Sequence, residues 1–263
     1  MHDSGGSQRD NNSWPVWSTS IFVTDKRLAA GFFRSACFFC CALLLLMSAL
    51  SVTVFAQEKS VNPGINRHYH GAAHEDWVPV FETESREIYA KRYEILRALN
   101  IEPGTRVADI GAGTGFFSLL FAGQTGPSGV VYAVDITDDF IRAIEARAAG
   151  AGIDNLVGVV NDGRVSGLAP QSIDLAFICD TYHHFEYPRD TMQSVYRALS
   201  DTGEVVIIDF RKDPRISSAW VQNHVRAGRS SVIQEMQGYG YELVADLPLL
   251  RTNYFLRFRK QQD

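Results

Sequence analysis

The chain has 263 residues, 46% of them hydrophobic and 21% charged, with a formal net charge of −5. That composition is globular, which excludes wholesale disorder and collagen-like or low-complexity chains. It also leaves no strong basic field to hold a phosphate backbone, so no nucleic acid is expected as a partner.

Residues 1–35 are polar, without period, and read as a disordered leader. Residues 35–57 carry no charge, and Lys26, Arg27 and Arg34 precede them. The segment 36–56 is a signal peptide or a membrane anchor. Val54-Phe55-Ala56 suits a small-residue cleavage site, which favours an export signal. The run is also just long enough to span a bilayer as an anchor, with membrane contact through 36–56. Both readings place the C-terminal part outside, exported or periplasmic, because the positive charges sit on the N-terminal flank. Cys37, Cys40 and Cys41 lie in this run, which leaves Cys179 alone in the remainder and no disulfide framework there.

Residues 57–79 form an N-terminal segment expected to close over a site, with Tyr69 and Trp77 as its aromatic members. His68, His70 and His74, beside Glu75 and Asp76, offer metal-ligand chemistry. Gly71 argues against one helix presenting them together, and no metal is expected. Apolar spacing predicts a helix over 80–99, with Ile88, Ile95, Leu96 and Leu99 on one stripe. After a Pro103-Gly104 turn, strands are expected at 106–110, 130–134, 155–160, 172–179 and 204–210. Helices are expected at 116–122, 138–149, from Pro188 through Leu199, and at 229–238. Strands at 241–247 and 253–259 close the chain. Strands alternating with helices predict a layered α/β domain over 80–263 with a largely parallel sheet. Ligands in such sheets bind beyond the carboxyl ends of the strands.

The strongest signal lies at such an end. Asp109-Ile110-Gly111-Ala112-Gly113-Thr114-Gly115 runs from a strand through glycines into a helix. Glycines turn tightly and admit a ligand close to the backbone. The helix start is expected to offer free N–H groups. Asp135 ends the second strand, where a carboxylate can accept hydrogen bonds from ribose hydroxyls. Asn161-Asp162-Gly163 follows the third strand, and Asp180-Thr181-Tyr182-His183-His184-Phe185 follows the fourth.

With these elements the chain, over 88–260, resembles the class I S-adenosylmethionine-dependent methyltransferases of the small-molecule type. The resemblance implies a Rossmann-like, seven-stranded, mostly parallel sheet with helices on both faces and the last strand antiparallel. It implies S-adenosyl-L-methionine as cofactor and a small-molecule methyl acceptor. Gly111, Gly113 and Gly115 would line the methionine part, and Asp109 would sit near its ammonium. Asp135 would bind the ribose, Asp162 the adenine amino group, and Asp180 would lie close to the sulfonium. A nicotinamide-dependent oxidoreductase uses a similar turn and acid, but the G-x-G-x-G spacing and Asp109 speak against it. A non-catalytic binding module that kept the cofactor site is the other alternative.

A sulfonium methyl is already activated, so holding a nucleophile in line in a dry site supplies most of the catalysis. A general base is needed where the nucleophile arrives protonated. His183 is the candidate for that role, with Asp180 and Tyr182 as the other catalytic candidates. Adjacent histidines on a regular element are not expected to share one pocket, so His184 is expected elsewhere.

Overall fold

The computed structural model describes residues 59–262. The leader and the apolar segment at 36–56 therefore lie outside the described residues. Among the described residues, no helix is long and apolar enough to cross a membrane.

The chain opens with a 3-10 turn at Ile65–His68 and helix α1, His74–Phe81. Helices α2 (Glu87–Ala90) and α3 (Arg92–Leu99) follow. The single helix expected over 80–99 is thus broken. Residues 82–86 leave the helical path, which frees the Arg86 side chain to reach across to Asp180. The left-handed Asn100 ends α3, and the Arg257 guanidinium donates to its last carbonyls at Ala98 and Leu99.

The remaining elements alternate as the sequence predicts. Strand β1 is Arg106–Ile110, α4 is Phe116–Thr125, β2 is Val130–Asp135, α5 is Asp138–Gly150 and β3 is Leu156–Val160. Strand β4 is Ile173–Cys179, α6 is Pro188–Ala198, β5 is Leu199–Phe210, α7 is Ala219–His224 and α8 is Arg229–Gly238. Strands β6 (Tyr241–Leu247) and β7 (Asn253–Lys260) end the chain. The short helix α7 carried no apolar period and went unforeseen. Its Ser218 cap accepts from the Val221 N–H and starts it.

Seven strands pair in the order β3-β2-β1-β4-β5-β7-β6. All pairings are parallel except those of β7, which runs antiparallel to both β5 and β6. The strand order reverses between β1 and β4, so the carboxyl ends of these two strands diverge into a crevice.

Alternation along β5 shows why the sheet is central. Val205 and Ile207 face one core with Met192, Val195 and Met236, while Val206 and Ile208 face another with Ile95, Phe117 and Phe121. A strand stretch buried on both faces must be apolar at successive positions, as residues 205–208 are. Each such side chain contributes about 1.5–3 kcal/mol by leaving water. The rigid two-sided core fixes the strand tips, and the tips carry the site.

Candidate functional site

A cavity of about 360 Å³ opens over the tips of β1, β2 and β4 and beneath the N-terminal segment. Asp109, Gly111, Ala112 and Gly113 form its floor, and Asp135 and Ile136 flank it at the end of β2. Phe81, Tyr69 and Arg86 come from the N-terminal segment. Asp180, His183 and His184 close the β4 side.

The glycine turn is held by the backbone. Gly111 and Ala112 both donate to the Val134 carbonyl, at 2.7 and 3.0 Å. Gly113 donates to Asp135 Oδ2 at 2.9 Å, and Gly115 donates to the Ala112 carbonyl. The amides of Gly111, Ala112, Gly113 and Gly115 are therefore spent inside the protein. The turn has no amide at those positions to offer a pyrophosphate, and two carboxylates flank it. That donor set suits a cofactor without phosphate and disfavours the dinucleotide alternative.

Gly111 has φ +75°, and a Cβ there would lie 2.2 Å from Thr181 Cγ2. Gly115, at φ +76°, does not line the cavity. Its missing side chain makes room for Ile144, 2.5 Å from where a Cβ would sit. It shapes the turn rather than touching a ligand.

The acids divide by environment. Asp109 accepts a 2.6 Å hydrogen bond from the Ser118 hydroxyl, and burial pushes its pKa up to about 7. A carboxyl so poised ionises readily beside an ammonium group. Asp135 accepts N–H groups from Gly113 and Thr137, each at 2.9 Å. Burial still raises its pKa against those bonds. Each of its oxygens keeps a further lone pair for hydroxyl donors. Asp162 instead folds back on its own loop. One of its oxygens accepts from the amides of Arg164 and Val165, and only its neighbours Asn161 and Gly163 line the cavity. Asp162 therefore caps a turn, and its side chain lies outside the cavity lining. Ile136 and Phe140 provide the apolar wall on that side.

Asp180 lines the cavity in a left-handed conformation, φ +51°, with both oxygens engaged. Arg86 Nη2 donates to one at 2.6 Å and Asn253 Nδ2 to the other at 2.5 Å. Burial raises its pKa against the pull of Arg86. Asn253 was not legible as a site residue, because it comes from an element remote in sequence.

Tyr182 is a correction. It is fully buried, points away from the cavity and donates its hydroxyl to Glu235 Oε2 at 2.8 Å. Its place is the core under α8, where Arg226 completes the pair with Glu235.

His183 does reach the cavity, and so does His184. Tyr182–His184 is one 3-10 turn, and the two imidazoles lie side by side with ring centres 4.2 Å apart. The expectation that adjacent histidines diverge assumed a longer regular element. His183 Nδ1 faces Asp209 at 2.8 Å, and the His183 backbone N–H donates to the same carboxylate. The Nδ1 proton is thereby fixed, and Nε2 is buried without a partner. Burial by itself lowers the His183 pKa, but the Asp209 charge and hydrogen bond outweigh it and the net shift is upward. His184 goes the other way, down to about 3, through burial and the charges of His183 and His224. Cys179 also lines the cavity, and burial keeps it a neutral thiol.

The N-terminal segment borders the cavity through Asn66, Tyr69 and Phe81. His74 Nε2 donates to the Thr114 carbonyl at 3.1 Å, and Arg147 bridges Glu82 and the same carbonyl. Tyr69 stacks on Trp77 with ring centres 4.7 Å apart, and Phe81 lies 3.3 Å from where a Gly113 Cβ would be. His68, His70 and His74 do not converge. His74 is turned inward, and the other two are exposed.

A doubly covered sheet of this strand order, with a glycine turn after β1 and a carboxylate ending β2, defines a nucleoside-cofactor domain of the class I methyltransferase type. Residues 101–246 match the model of the methyltransferase domain family, and the chain belongs to that family. S-adenosyl-L-methionine is accordingly the cofactor this site is built for. A ubiquinone/menaquinone biosynthesis C-methyltransferase from Ectopseudomonas mendocina is 28% identical over 123 residues, 46% of this chain and 48% of that one. A malonyl-[acyl-carrier protein] O-methyltransferase from Methylococcus capsulatus is 29% identical over 161 residues, 58% of each chain. The chain thus spans about half the length of these relatives. Among solved structures, a SAM-dependent methyltransferase from Aquifex aeolicus shares the fold, with TM-score 0.59 and 19% identity over 63% of this chain and 87% of that one. So does the [4+2]-cyclase SpnF, with TM-score 0.57 and 14% identity over 66% of this chain and 82% of that one. The fold alone therefore does not assign a reaction.

Proposed function

We propose that this protein transfers the methyl group of S-adenosylmethionine to a small-molecule acceptor held beside His183. The observation that carries the reading is the pairing of Asp135 with the Gly113 amide, which makes the ribose acid and the glycine turn one unit. When bound, the cofactor supplies an electrophilic methyl on a sulfonium. Asp109 would hold the ammonium, Asp135 the ribose, and Ile136 with Phe140 the base. Tyr69, Phe81 and the N-terminal segment exclude water from the reacting centre. His183 presents the lone pair that faces the acceptor, and Asp209 holds its ring in place.

Calorimetry with S-adenosylhomocysteine tests the site directly. Saturable binding to the full chain is expected, and replacing Asp135 with Ala should weaken it by about 1–3 kcal/mol through lost charged hydrogen bonds. An unchanged affinity removes the assignment. Transfer of labelled methyl into an acceptor library then establishes turnover and separates it from mere binding. The N-terminal signal supports an exported or membrane-anchored location. Protease accessibility on intact cells checks this, with protection of the domain as the contrary result.

A further inference from the structure

At the acceptor end of the cavity three imidazoles meet, from two elements distant in sequence. His183 and His184 sit on the 3-10 turn after β4, and His224 ends α7. One ring nitrogen from each lies within 4.8 Å of the others. His184 Nε2 and His224 Nε2 are 3.5 Å apart. Two nitrogens bound at about 2.0–2.1 Å to a tetrahedral ion stand roughly 3.4 Å apart.

Each ring is oriented from behind. Asp209 takes the Nδ1 proton of His183, which leaves the buried Nε2 as an orphan. Asn66 donates its amide to the His184 carbonyl, so its Oδ1 is left to accept from His184 Nδ1 at 3.1 Å. That fixes the His184 tautomer and leaves its Nε2 as an acceptor facing His224 Nε2. Trp220 stacks on the His224 ring, with centres 4.4 Å apart and planes at 19°. A carboxylate behind one imidazole and an amide oxygen behind another are the usual supports of metal-ligating histidines.

We propose that His183, His184 and His224 form a three-histidine site for a divalent transition ion of the zinc type, bordering the methyl-acceptor end of the cavity. Three imidazole nitrogens favour zinc or its first-row neighbours over magnesium or calcium. Three protein ligands leave a coordination position open. Because His183 and His184 line the cavity, that position is available to a ligating heteroatom of an acceptor. A hydroxyl or thiol bound there gives up its proton more easily, so the ion rather than a histidine would prepare the nucleophile. The metal site stands on its own geometry. Its role toward the acceptor rests on the methyl-transfer reading.

The test uses the full chain, stripped with a chelator and titrated with zinc alone by calorimetry. Cobalt absorption serves as the second readout. One equivalent of zinc is expected, with the visible spectrum of four-coordinate cobalt. His184→Gln and His224→Gln should each weaken zinc binding at least tenfold. Asp209→Asn should weaken it roughly 10–100-fold. His70→Gln, at an exposed imidazole outside the cluster, should leave it unchanged. S-adenosylhomocysteine binding, measured on every variant, reports folding and the cofactor site separately. Sub-stoichiometric zinc, or an affinity indifferent to His184 and His224, overturns the proposal while leaving the cofactor reading standing. Zinc bound as expected with no S-adenosylhomocysteine binding would do the reverse.

Discussion

Asp109 shows how one side chain couples proton and ligand. Its pKa is raised from the usual carboxylate range to about 7 by burial, against the Ser118 hydrogen bonds. The folded state thus holds this proton more tightly than the unfolded chain. Its stabilising contribution is complete at low pH, below the unfolded value, and is lost as pH rises toward about 7. Asp109→Asn should therefore gain stability relative to the parent as pH rises through that window, read by denaturant titration. Holding an ammonium requires the ionised form, so S-adenosylhomocysteine should bind more tightly from about pH 6 to about pH 8, with proton release. Asp109→Asn should bind it more weakly and with a flat profile. Tyr182 offers the opposite case. Its hydroxyl serves Glu235 and not the cavity, so Tyr182→Phe should keep turnover and cost about 0.5–1.5 kcal/mol of stability. A large fall in kcat at unchanged stability would return Tyr182 to the site. Sequence alone did not give the directions of Tyr182, His183 and His184, because a 3-10 turn points each side chain a different way.

At the scale of elements, the glycine turn joins β1 to α4 and sets α5 against both. Gly115 needs its positive φ and also vacates the space that Ile144 of α5 fills. Gly115→Val should destabilise by about 1–3 kcal/mol or more through overpacking and backbone strain, measured as a lowered Tm. The glycine pattern was visible in the sequence, but the division of labour was not. Gly111 and Gly113 lie on the cavity floor, while Gly115 serves packing, and only the position of α5 separates them. The N-terminal segment teaches the same lesson. Its aromatic residues announced a cover, yet the break at 82–86 that sends Arg86 to Asp180 had no local signal. The apolar stripe of Ile88, Ile95, Leu96 and Leu99 lies wholly after it and carries no information on residues 82–86.

At the scale of the molecule, chain ends far apart in sequence meet behind the site. Glu87 of α2 accepts the amides of Arg251 at 2.8 Å and Thr252 at 2.7 Å, in the turn between β6 and β7. Burial opposes ionisation of Glu87, but these bonds prevail and its pKa is lowered. A depressed carboxylate stabilises the fold above its unfolded pKa and loses that contribution on acidification. Glu87→Gln should cost at most about 1 kcal/mol at neutral pH, because solvent screens this partly exposed carboxylate, and close to nothing below about pH 4, by denaturant titration at both. A pH-independent difference would mean that the carboxylate charge plays no part. Asn253, beside this tie, also donates to Asp180, so the same end of the sheet supports the cavity.

The sequence by itself determined the alternation of strands and helices, the two-sided burial of β5 and the acids at the tips of β1 and β2. These follow from local period, glycine conformation and strand ends, which short windows of chain contain. Only the tertiary structure decided which polar groups are spent and which are free. Loop amides went to Val134 and Asp135, Asp162 to its own turn, and both oxygens of Asp180 to Arg86 and Asn253. It alone brought His224 to His183 and His184. Hydrogen bonds and ligand sets depend on distances of a few ångströms between segments as far as 165 residues apart, as with Glu87 and Thr252. No periodicity in the chain encodes such a meeting, because it arises when helices and loops pack over a finished sheet.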